Sequence, residues 1–132
     1  MSKDWIETTR SLSAGLREMR GGAPEVMKAF ATIAQAATKT GVLDTKTKEL
    51  IALAIGVATR CDDCIAFHAK AASDRGATSD EILETLGMAI YMGAGPSVMY
   101  AAHALEAYNQ FAENKAEQAA PQPSPQPVTS NT

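Results

Sequence analysis

The stretch Glu49-Leu-Ile-Ala-Leu-Ala-Ile-Gly-Val-Ala-Thr-Arg-Cys61-Asp-Asp-Cys64-Ile-Ala-Phe-His68 decides how this chain is read. It holds both cysteines, one of the two histidines, and an apolar run from Leu50 to Ala58 headed by a glutamate. The run shows no alternation of apolar and polar positions, so it reads as a helix, apolar all round and buried on every side, rather than a half-buried strand. Asp44 is its natural N-cap, and the polar Thr45 to Glu49 open it. Glu49 is thereby held close to the core.

Arg60 to Asp63 break the apolar pattern. Asp62 and Asp63 favour the first turn of a new helix through capping and the helix dipole, and that helix runs from about Asp62 to Asp74, stopping at Gly76. Positions three and four apart share a helix face, which lines up Cys61, Cys64 and His68 on one stripe.

Working outward, Trp5, Ile6, Leu12, Leu16 and Met19 fall loosely on one face of a first helix from Lys3 to Arg20, ended by Gly21-Gly22. Pro24 opens a second, in which Val26, Met27, Phe30, Ile33, Ala34 and Ala37 recur at threes and fours until Gly41. On the other side, Thr78 with Glu81 has capping-box spacing and opens a helix reaching Gly93 or Gly95. Pro96 then starts a sixth helix through Val98, Met99, Ala102, Leu105, Tyr108 and Phe111. The reading is an all-α chain of about six helices, with one helical domain over residues 1–115 and its core over 24–112. Residues 116–132, with prolines at every second position, read as a disordered Pro-rich tail. The Met, Tyr and Ile positions of the later helices are numerous for so small a domain, so part of that surface is expected to meet another subunit.

Composition narrows the function. At 132 residues the chain fits one domain, and its hydrophobic share of 45% against 20% charged can build a core, mainly from small Ala side chains suited to close helix packing. A net charge of −3, with twelve dispersed Lys and Arg, argues against a nucleic-acid partner. No apolar run approaches the roughly 18 residues of a spanning helix, and the N-terminus has no apolar signal core; the expectation is a cytoplasmic protein with no membrane partner. In that reducing compartment, a close cysteine pair is more often catalytic or redox-sensing than a staple.

The chemistry this stretch can perform is specific. Reduction of a peroxide requires a thiolate to attack the O–O bond, a proton for the departing alkoxide, and a second thiol to trap the sulfenic acid as a disulfide. The Cys61/Cys64 pair supplies two sulfurs near a helix start, where free N–H groups favour a negative sulfur, while Asp62 and Asp63 oppose it. His68 can pass the proton, and Glu49 completes a relay if the buried helix sets it against the same face.

Glu49, Cys61 twelve residues on, Cys64 and His68 together resemble the alkylhydroperoxidase D-like branch of the carboxymuconolactone decarboxylase family, with the likeness covering roughly residues 24–112. That resemblance implies a helical homo-oligomer, trimer or hexamer, acting on a hydroperoxide substrate as a thiol-dependent peroxidase or disulfide reductase, an antioxidant role with no metal, haem or flavin. It implies an external dithiol or a lipoyl- or peroxiredoxin-type reductant. It also implies that Cys64 is the peroxidatic cysteine, Cys61 the resolving one, and Glu49 and His68 the proton relay. Thioredoxin-like reasoning would instead favour the first, more exposed cysteine. One position departs from the family pattern: Asp63 stands where a second relay histidine is expected, which discourages thiolate formation.

Three other readings remain at this point. The pair could serve a non-catalytic redox sensor. Cys61, Cys64 and His68, with Glu49 or His103 as a fourth ligand, could hold a metal, although structural zinc usually draws on two separate knuckles. A lactone-decarboxylating enzyme would share the fold but lacks the cysteine pair. His103, on the last helix and without a visible partner, is read as structural.

Overall fold

Each helix of the computed structural model, which describes residues 3–121 and 123, begins where its capping chemistry begins. Asp4 accepts the Glu7 N–H at 2.9 Å and opens α1, Trp5–Gly22. Pro24 stands at the first position of α2, Pro24–Thr38. Asp44 accepts the Thr47 N–H at 2.7 Å and opens α3, Thr45–Ala58. The Sγ of Cys61 accepts the Cys64 N–H at 3.2 Å and opens α4, Asp62–Asp74. Thr78 and Glu81 form the reciprocal capping box, at 3.2 and 2.9 Å, that opens α5, Ser79–Ala119.

The described residues are all-helical, as expected, but in five helices rather than six. The interruption foreseen between Gly93 and Pro96 is a kink: Ala94 alone leaves helical geometry, at φ 53° and ψ −141°, and the helix resumes through Pro96. A proline removes one N–H and crowds the preceding turn, which bends a packed helix without ending it. The helix then continues past Glu113 to Ala119. Of the Pro-rich tail expected over 116–132, residues 122 and 124–132 lie outside the described residues.

The core forms where α3, α4 and α5 meet. Leu53 and Val57, Ile65 and Ala69, and Ile82 and Ala104 are wholly buried there, the alanines letting the axes approach. The amino end is clamped onto α5. Trp5 is wholly buried, its Nε1–H donates to Glu106 Oε1 at 2.9 Å, and its backbone N–H donates to Gln110 Oε1 at 2.7 Å. Gln110 in turn donates to the Lys3 carbonyl at 2.6 Å.

Two expectations about burial are corrected. α3 is not buried on every side, because Ile51 and Ile55 are 45% and 56% exposed on the face turned away from α4. α2 buries none of its residues, although residue 24 was expected to begin the core. Apolar periodicity reports a face that seeks a partner, and among the described residues none covers it. Among the described residues no helix is long and apolar enough to cross a membrane.

Candidate redox-active site

The turn from α3 to α4 builds the site. Thr59 caps α3, Arg60 takes a left-handed conformation at φ 57°, and two backbone bonds close the turn: Arg60 N–H to the Val57 carbonyl at 3.1 Å and Cys61 N–H to the Gly56 carbonyl at 3.0 Å. These are the two bonds of a Schellman stop, normally granted to glycine at the left-handed position. Because the residue that completes this stop is also the N-cap of α4, the second helix starts with no intervening loop and returns antiparallel against the first. Cys61 is therefore fixed at both ends of its backbone.

Cys61 and Cys64 are joined as a disulfide, with Cα atoms 5.2 Å apart, inside the usual range for a bridge. Both are half-buried. Cys64 lies against α3 at Gly56, where a Cβ would stand 3.3 Å from that of Cys64. One turn beyond Cys64, His68 points back to α3, and its Nδ1 lies 2.7 Å from Oε2 of Glu49. Glu49 is buried, with 8% of its surface exposed, whereas the His68 side chain keeps 34% exposure. The carboxylate thus orients the ring from the core side and leaves its other nitrogen towards the more open side.

All four expected residues gather on the α3/α4 seam: Glu49 from one helix, Cys61, Cys64 and His68 from the other. The charges beside the sulfurs are unequal. Asp62 is paired with the Lys3 ammonium at 2.9 Å, while Asp63 is exposed. Lys3 Nζ also sits 4.7 Å from the Trp5 ring centroid, so the clamped amino end brings a cation to Asp62, between the two cysteines in sequence. Sequence reasoning missed three contributors. A glycine inside a buried helix was a usable signal for close approach at Gly56. Lys3, 59 residues from Asp62, and Arg60 in its left-handed turn carried no local signal.

His103 lies apart from this seam, with its ring 5.9 Å from that of Trp5 and 5.5 Å from that of Tyr100. Among the described residues no three His, Cys, Asp or Glu side chains converge to hold a metal ion. The arrangement can cycle a disulfide and a dithiol and can move a proton between a half-exposed imidazole and a buried carboxylate.

Comparison with known proteins bears on the family and the fold. The model of the carboxymuconolactone decarboxylase family matches residues 24–107. An uncharacterised protein of Haemophilus influenzae is 40% identical over 109 residues, covering 83% of this chain and 96% of its own. A carboxymuconolactone decarboxylase family protein from Legionella pneumophila, solved by crystallography, superimposes with TM-score 0.81 at 52% identity, covering 82% of this chain and 96% of that one. A family protein from Thermotoga maritima, suspected of a part in the antioxidative response, superimposes with TM-score 0.74 at 29% identity, covering 89% and 97%. With the helical architecture, the Cys61/Cys64 spacing and these matches in agreement, the chain belongs to the carboxymuconolactone decarboxylase family.

Proposed function

We propose that the chain is a thiol-dependent peroxidase that reduces organic hydroperoxides and is regenerated by an external dithiol, of lipoyl or peroxiredoxin type, in the cytoplasm. The observation that carries this reading is the cysteine pair at the start of α4 one turn from a histidine that hydrogen-bonds a buried glutamate. In the reduced protein, the Cys64 thiolate attacks the terminal peroxide oxygen and the O–O bond breaks. His68 delivers a proton to the departing alkoxide, and Cys64 becomes a sulfenic acid. The Cys61 thiol displaces its hydroxyl as water, forming the disulfide, which the external dithiol reduces by exchange. His68 stands one turn from Cys64 and two from Cys61, which favours Cys64 as the attacking sulfur. The helical domain of residues 1–115 acts within a homo-oligomer, a trimer or hexamer.

The test separates the two sulfurs. Cys64→Ser abolishes peroxide consumption and leaves no sulfenic acid to trap, whereas Cys61→Ser still reacts once and stalls as the sulfenic acid. Loss of the first oxidation in Cys61→Ser alone reverses the assignment. Glu49→Gln and His68→Gln slow the reaction with helical content unchanged. An intact protein that oxidises once but does not turn over with a dithiol is a redox sensor instead.

A further inference from the structure

α3 has two working faces. Glu49, Leu53 and Gly56 turn to α4 and the cysteine pair, and on the opposite side Ile51, Ala54 and Ile55 line a groove of about 430 Å³ shared with Met88 and Met92 of α5. Its large side chains are bare: Ile51 is 45%, Ile55 56%, Met88 61% and Met92 75% exposed. The same chain carries a second unmatched apolar element. α2 buries none of its residues, and Val26, Phe30 and Ile33, at i, i+4 and i+7, form a ridge 64% to 67% exposed. α2 packs against α1 and α3 of its own chain but not against α5, so it does not fill its own groove.

From this geometry we propose that the α2 ridge of one copy seats in the α3/α5 groove of a second copy. A convex ridge of branched and aromatic side chains matches a concave apolar floor, and the unbranched methionines adapt to an incoming ring. The area is sufficient. At roughly 100 Å² left bare on each large apolar side chain, the seven groups supply about 700 Å². Since apolar atoms make up somewhat over half of an interface, the whole contact reaches about 1,200 Å², where stable interfaces begin. Each copy carries one ridge and one groove, so the pairing closes either reciprocally about a two-fold axis or head to tail around a ring, and in both cases every ridge and groove is covered. The proposal names the surfaces of the assembly put forward above, and it does not depend on the peroxidase chemistry.

Sedimentation of the full chain across a range of concentrations gives an assembled wild type, while Phe30→Glu and Met92→Glu each sediment as monomers with unchanged helical content. With Cys61 and Cys64 kept as the disulfide, a Phe30→Cys/Met88→Cys double variant cross-links between copies with a short bismaleimide, and neither single variant does. A wild type that is monomeric at every concentration, charged variants that stay assembled, or a Phe30→Cys variant that cross-links to itself overturns the proposal. An assembled protein without peroxide turnover leaves it standing and removes the peroxidase reading.

Discussion

Replacing Gly56 by alanine probes the contact on which the site depends. A Cβ built there stands 3.3 Å from Cys64 Cβ, 3.5 Å from Ile65 N and 3.6 Å from Cys64 C. None of these atoms is the free end of a side chain, so relief requires α4 to move by a few tenths of an ångström. Overpacking of this kind costs about 1–3 kcal/mol, and the helix propensity gained from alanine returns about 1 kcal/mol. The expected outcome is a net loss of about 1 kcal/mol. Gly15 in α1 supplies the control, because a Cβ there meets nothing within 4 Å and Gly15→Ala gains about 0.5–1 kcal/mol from propensity alone. Urea denaturation followed by circular dichroism, at one protein concentration and with the disulfide intact, places the two variants about 2 kcal/mol apart. Because the displaced α4 carries His68, the 2.7 Å bond to Glu49 is disturbed, and peroxide oxidation of the reduced variant slows. A Gly56→Ala protein as stabilised as Gly15→Ala refutes the reasoning.

Thr78→Ala removes the hydroxyl half of the capping box and lowers stability by about 1 kcal/mol in the same denaturation assay. Arg60→Gly relieves the left-handed residue and raises stability by about 0.5 kcal/mol, whereas Arg60→Val lowers it. Trp5→Ala empties a wholly buried site and costs about 3–5 kcal/mol, seen as a large fall in thermal midpoint. The Lys46 ammonium at 2.8 Å, and then the Thr78 N–H, hold the Glu81 carboxyl below its ordinary pKa, so its stabilising contribution is present above the ordinary carboxylate range and is lost as pH falls through the lowered value. The same pair raises the Lys46 pKa, so that contribution is complete below the ordinary lysine value and is lost as pH rises through the raised one. In Lys46→Met, an NMR titration of Glu81 moves upward yet stays below an unpaired glutamate, because the Thr78 bond remains; no movement overturns this account.

What the sequence disclosed was whatever is local. Asp44, Thr78 with Glu81, and Gly76 are punctuation read within four residues, and each stands where expected. The Cys61, Cys64 and His68 stripe follows from helical spacing alone. The Glu49 to His68 bond does not, because it needs α4 to fold back on α3 at the distance that Gly56 permits. Pro96 was read as a beginning because its missing N–H suits a first turn; the backbone does leave helical geometry two residues earlier, at Ala94, but for one residue only, so the break is a kink within α5. Val26, Phe30 and Ile33 announced a helix correctly, but periodicity carries no label saying whose surface will cover it.

The clamp at the amino end has a consequence for how the protein is made. Lys3 and Trp5 leave the ribosome well before the groups that hold them, Glu106 and Gln110, which are added more than a hundred residues later. The α3/α4 hairpin, with its short connection, can form while synthesis continues, but the hydrogen bonds that hold Trp5 cannot form until α5 is nearly complete. The α1 end is thus tied down only after α5 is made, and through Lys3 its arrival also brings a cation to Asp62, which lies between the two cysteines in sequence.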